Sequence, residues 1–196
     1  FVQKEGPRIG LLGGSFNPAH NGHMKISLEA MRLLRLDQVW WLVSPQNPLK
    51  STEEMASFES RVENVIQITK NEPRILDKSM EVCLENPFTV DTLIYLKKRF
   101  YNHRFVWLMG ADNLAQLPNW YRWHQIMKRA PIAVFNRPGY SHAALSGKAA
   151  KYYRRYRVKS HIHQLVNTPT PAWTFIWSLH DSQSATSLRD LALSFR

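Results

Sequence analysis

The sequence predicts an α/β fold, a doubly wound and mostly parallel sheet with helices on both faces. Three observations predict it. Short apolar runs of strand length alternate with longer stretches whose apolar residues recur at helical spacing. The first such unit is a strand, a glycine-rich turn and a helix, the order that makes a parallel pair with a crossover. A chain of 196 residues, 44% hydrophobic, with no repeat, linker or low-complexity tract, is long enough for one well-packed core and short for two. One domain over residues 1–196 is therefore expected.

Residues 8–12 form the first buried strand, and residues 22–35 a helix with Met24, Ser27, Leu28, Met31 and Leu34 at helical spacing. Residues 38–43 (QVWWLV) are the second strand, followed by a proline-stiffened loop at 44–50. Residues 58–69 make a helix with Ser57 as N-cap and Val62, Val65 and Ile66 on its apolar face. A third strand is expected at 74–76 and an edge strand within 81–87, then a helix that starts near Phe88 and ends near Phe100. Residues 104–109 (RFVWLM) form a strand that breaks into a turn at 110–113, and residues 119–129 an aromatic-rich helix. Another strand at 131–135 stops at 136–139; residues 141–155 are expected helical, 161–166 and 173–177 as short strands, and 184–195 as a closing helix capped by Ser184 or Ser182.

Composition narrows the function classes. The single cysteine, Cys83, excludes an intramolecular disulfide and a cysteine-based zinc site, which fits a reducing compartment. No apolar run is long enough to cross a bilayer and no secretion signal is apparent, so a cytoplasmic protein with no membrane partner is expected. A net charge of +11 and a pI near 10.0 fit either nucleic acid or polyanionic small substrates. Part of that charge lies in residues 148–159, where six lysines and arginines interleave with Tyr152, Tyr153 and Tyr156. With no RNA-binding signature beside it, this segment is expected to be a solvated helix face with its tyrosines packed inward, and no nucleic-acid partner is expected.

The chemistry concentrates where the strands should end. In GGSFNPAHNGH, Gly13 and Gly14 give a sharp turn and close backbone approach, and the helix start beyond them offers unpaired N–H groups of partial positive charge, a place for phosphate. His20 and His23 fall on one side of that first turn, each able to present an N–H to a phosphate oxygen. Lys50, at the end of the next loop, is placed for a phosphate contact. The last helix opens with Ser184, Thr186 and Arg189, hydroxyls and a guanidinium that make a second phosphate cradle. No carboxylate cage for a metal is visible.

The stretch from Gly13 to His23, with its His-x-Gly-His, resembles the signature of the nucleotidyltransferase superfamily, whose fold is Rossmann-like. Ser184-x-Thr186-x-x-Arg189 resembles that superfamily's second signature. The blocks 43–50, 88–93, 110–114 and 120–123 make the chain similar, over nearly its whole length, to the bacterial nicotinate mononucleotide adenylyltransferases. The resemblance implies transfer of the adenylyl group of ATP to nicotinate mononucleotide, giving deamido-NAD and pyrophosphate. It implies an ATP site of Gly13, Gly14, Ser15, Phe16, His23, Gly110, Asp112, Arg137, Ser184, Thr186 and Arg189, with His20, His23 and Arg189 catalytic. Asn47 and Lys50 then lie at the acceptor phosphate, Trp120 stacks on the pyridine ring, backbone N–H groups at Thr89 and Tyr121 receive the nicotinate carboxylate, and Asp112 also meets the ribose. Mg2+ is expected on the phosphates, held mainly by ATP, acceptor and water. Trp123 is expected in the core. Competing readings are a pantetheine-phosphate adenylyltransferase, which lacks the GADN and WYRW blocks, and a basic nucleic-acid-binding module on the same fold.

Overall fold

The computed structural model describes residues 6–45, 55–79 and 88–177. Six strands form one sheet: β1 (Arg8–Gly14), β2 (Gln38–Val43), β3 (Ile75–Asp77), β4 (Arg104–Gly110), β5 (Ile132–Phe135) and β6 (Trp173–Ile176). Their order is β3-β2-β1-β4-β5-β6 and every pairing is parallel, so the expectation of a mostly parallel sheet sharpens to a wholly parallel one among the described residues. The sequence order reverses direction between β1 and β4, which opens the crevice at the carboxyl ends where such sheets bind ligands. Gly14 pairs with Val43 and Gly110 with Phe135, aligning the ends of four strands along that edge.

Alternation along the strands divides the core in two. Ile9, Leu11, Trp40, Phe105, Trp107 and Met109 face one side, covered by α3 (Thr89–Arg99), α4 (Ala111–Gln116), α5 (Trp123–Arg129), α6 (Ser141–Ser146) and α7 (Lys148–Tyr152). Leu12, Val39, Trp41, Val106 and Leu108 face the other, against α1 (Asn21–Leu34), α2 (Phe58–Thr69) and the 3-10 helix Ile162–Asn167. No helix among the described residues is long and apolar enough to cross a membrane.

Several expectations change. Residues 161–166 are not a strand: His161 takes a left-handed φ of 52° and starts the 3-10 helix, which buries Leu165 and Val166. The helix expected over 141–155 breaks at Gly147, whose extended backbone separates α6 from α7, and it ends in a 3-10 turn at Arg154–Tyr156. Of its tyrosines only Tyr153 packs inward; Tyr152 is 64% and Tyr156 49% exposed. The turn expected at 110–113 is already helix, because α4 starts directly at Ala111. Ser57 does cap α2, accepting from Ser60 N–H at 3.2 Å, but Ile66 stays exposed, and Arg61 and Thr69 join Val62 and Val65 on the buried side. The expected edge strand in 81–87 and the closing helix at 184–195 lie outside the described residues.

Candidate active site

Gly13 and Gly14 are not the turn. Both belong to β1, in register with Leu42 and Val43. Gly13 is required by its neighbour, since a Cβ there would stand 2.6 Å from the Trp107 ring. The reversal comes two residues later, at Phe16, with φ of 47°. Phe16 is 2% exposed as a whole residue, and its ring stacks on Trp41 at 5.0 Å and meets the His23 ring at 4.7 Å, so that ring is core and not a platform for a nucleotide.

His20 is the N-cap of α1, and the three-residue spacing to His23 makes a reciprocal cap of two imidazoles. Gly22 N–H donates to His20 Nδ1 at 3.1 Å, and His20 N–H donates to His23 Nδ1 at 3.2 Å. An N–H facing Nδ1 needs a lone pair there, so each ring carries its proton on Nε2. The rings lie 4.0 Å apart at the positive end of a 14-residue helix. Beneath them, buried Ser27 donates to His23 C=O at 2.9 Å and accepts from Trp41 Nε1 at 2.8 Å.

α2 holds this turn from the side. Ala56 N–H donates to Asn17 Oδ1 and Ala19 N–H to Asn64 Oδ1, while Arg61 Nη1 donates to Ser15 C=O at 2.7 Å. The motif search missed Arg61. Its signal was position: Arg61, Val65 and Thr69 recur four residues apart on the stripe that α2 buries.

Across the crevice, Asp112 curls back over the end of β4. Its Oδ2 accepts from Arg137 Nη1 at 2.6 Å, and its Oδ1 is buried with no hydrogen-bond partner among the described residues. A Cβ on Gly110 would stand 2.5 Å from that Oδ1, so glycine there makes room for the carboxylate. Arg137 also covers the Tyr140 ring at 5.7 Å.

Trp120 and Tyr121 do not belong to a helix over 119–129. A 3-10 turn at Leu117–Asn119 ends in extended Trp120, and Arg122, left-handed at φ 49°, starts α5 at Trp123. Trp123 is core, as expected, whereas Trp120 is partly buried at the core's margin. Tyr121 lies between the Phe88 ring at 4.6 Å and the Arg122 guanidinium at 5.0 Å. Phe88 is the N-cap of α3 and Thr89 its first residue, so the Tyr121 turn borders the N–H-rich end of that helix. Behind them, burial and the nearby Lys128 and Lys148 hold the His124 pKa below its ordinary value, and its Nδ1 lies 2.9 Å from Tyr153 OH.

The structure thus brings Gly13, Gly14, Ser15, Phe16, His20, His23, Gly110, Asp112 and Arg137 to one sheet edge, with Thr89, Trp120 and Tyr121 grouped on the α3–α5 side. Asn47, Lys50, Ser184, Thr186 and Arg189 lie outside the described residues. Among the described residues, no group of three or more His, Cys, Asp or Glu side chains is placed to hold a metal ion.

The profile of the Cytidylyltransferase-like family matches residues 11–188. A protein named "probable nicotinate-nucleotide adenylyltransferase" from Parvibaculum lavamentivorans is 48% identical over 94% of this chain and 92% of its own length. The chain belongs to the nicotinate-nucleotide adenylyltransferase family. Another member, from Gluconobacter oxydans and of the same name, is 48% identical over 93% of this chain and 94% of its own. The fold is shared further: a Plasmodium falciparum nicotinic acid mononucleotide adenylyltransferase complexed with NaAD superimposes with a TM-score of 0.69 at 18% identity, covering 94% of this chain and 83% of that one.

Proposed function

We infer that this protein transfers the adenylyl group of ATP to nicotinate mononucleotide, forming nicotinic acid adenine dinucleotide and releasing pyrophosphate. The observation that carries the reading is the imidazole pair at the start of α1, both Nδ1 atoms engaged by backbone N–H groups and both protons on Nε2. The names of the family members, which cover nearly the whole chain, support the choice of acceptor.

In this reaction a phosphate oxygen of the mononucleotide bonds to the α-phosphorus of ATP as the bond to pyrophosphate breaks, in line. The protein need form no covalent bond; it aligns the phosphates and stabilises the charge that develops on them. His20 and His23 donate to the α-phosphate oxygens, and the turn through Ser15 and Phe16 adds backbone donors. Ser184 and Thr186 bind the distal phosphates, and Arg189 stabilises the departing pyrophosphate. Asn47 and Lys50 hold the acceptor phosphate. Trp120 stacks on the pyridine ring while N–H groups at Thr89 and Tyr121 take the carboxylate, an arrangement that prefers nicotinate to the neutral amide.

Asp112 supports its assigned place by the unpartnered Oδ1, an acceptor suited to a ribose hydroxyl, and Arg137 fixes the carboxylate that carries it. With no multi-carboxylate cluster among the described residues, the donor set suits a Mg2+ ion carried on the phosphates; when bound, it neutralises their charge. A cytoplasmic location accords with the single cysteine.

The test is pyrophosphate release from ATP with nicotinate mononucleotide, nicotinamide mononucleotide or phosphopantetheine as acceptor. Turnover is expected to be fastest with nicotinate mononucleotide. No turnover with either mononucleotide would overturn the reading, and turnover with phosphopantetheine alone would replace it.

A further inference from the structure

We propose that Arg61 is a positioning residue for the transfer, a single guanidinium that aims the nucleotide turn by tying it to the end of β2 and the approach to α2. The proposal uses the reading of the site given above. Arg61 is only 2% exposed, on the apolar stripe of α2, where an arginine must find partners for its charge. No carboxylate of the described residues pairs with it. Its Nε donates to Ala56 C=O at 3.0 Å, Nη1 to Ser15 C=O and Ser44 C=O at 2.7 Å each, and Nη2 to Pro45 C=O at 2.8 Å. Burial draws its pKa below the ordinary arginine value, yet arginine stays ionised in proteins, so these are charge-assisted bonds.

The four carbonyls come from three places: the turn after β1, the loop after β2 and the approach to α2. Peptide planarity gives the first contact its meaning. With Ser15 C=O drawn onto the guanidinium, the N–H of the same peptide, that of Phe16, points the opposite way. That N–H has no partner among the described residues, and its ring packs on His23. Arg61 therefore sets the direction of an anion donor beside the imidazole pair. The bonds to Ser44 and Pro45 tie that turn to the chain leaving β2. The aim of that donor then depends on one planar fork, which lysine, with three donors on one point, does not reproduce.

The experiment compares R61K and R61A with the wild-type enzyme in pyrophosphate release, each corrected for the folded fraction by circular dichroism, using whichever acceptor the wild type turns over. We expect kcat to fall about 10²-fold in both, KM to rise for ATP, and methylguanidinium to restore turnover in R61A. A folded R61K with kcat and the KM for ATP near wild type overturns the proposal, as does a loss that only tracks the unfolded fraction or resists rescue. Wild-type protein labelled with 15N-phenylalanine gives an arm that needs no variant. Adding ATP without acceptor should move the Phe16 amide proton downfield more than any other phenylalanine amide, and an unmoved Phe16 amide at saturation overturns the proposal. That arm does not depend on the acceptor, so it tests the donor that Arg61 aims even where nicotinate mononucleotide is not the substrate.

Discussion

Around the turn after β1, His20, His23, Asn64 and Arg61 are each hydrogen-bonded to backbone atoms, whereas beyond β4 Phe88, Tyr121 and Arg122 meet one another face to face, with Trp120 at the margin of the core. A hydrogen bond fixes the direction of a group, while a packed ring fixes only a plane and a distance. The first kind of construction suits the aligning of phosphates for in-line transfer. The second suits holding a flat ring that must enter and leave. Substitutions on the two sides should accordingly divide between turnover and acceptor affinity.

The largest effect should come from His23→Ala. Loss of one donor to the developing charge is worth about 10²–10³-fold in kcat, measured as pyrophosphate release at saturating substrates; an unchanged rate would remove His23 from the transfer. Next is Ser27→Ala, which leaves Trp41 Nε1–H buried without its acceptor. Denaturant unfolding should show a loss of about 1–3 kcal/mol, with turnover reduced as well because the same hydroxyl braces His23 C=O. Full activity in a destabilised Ser27→Ala enzyme would mean that the imidazole pair is not rigidly supported.

Trp120→Ala should weaken mononucleotide binding by about 1 kcal/mol, the middle of the range for a stacked pair, with ATP affinity unchanged by calorimetry. Equal losses for both ligands would erase the distinction between the two sides. The smallest effect concerns pH. The lowered folded-state pKa of His124 means that its contribution to stability is present above the ordinary histidine value of about 6.5 and is lost as pH falls through the lowered value. Thermal unfolding at pH 7.5 and 5.5 should therefore differ less in His124→Gln than in the wild type.

Much of the first side was legible in the sequence because local rules act there without competition. The run QVWWLV, the Ser57 cap and the His-x-Gly-His spacing each specify their structure within a few residues. Gly13 was misread as a turn residue because its reason lies in Trp107, on a strand more than ninety residues away. The segment at 161–166 looked like a strand from its apolar residues, but Ile162 and Leu165, three apart, fit a 3-10 helix that packs on the α1 face. Tyr152 and Tyr156 could not be assigned inside or outside without knowing that Gly147 breaks the helix before them. Arg61 was invisible for the opposite reason: its partners are carbonyl oxygens, and a main-chain acceptor leaves no mark in residue identity.

The left-handed Phe16 has a consequence for inhibition. A phosphate mimic that grips the Ser15–Phe16 peptide touches a main-chain N–H, which only proline would delete, and proline cannot take the φ of 47° found there. The side chain that holds that peptide is in the core, and shortening Phe16 to alanine would cost about 3–5 kcal/mol of stability in a chain whose residue there is 2% exposed. A resistant variant would have to give up much of its fold to escape such a compound.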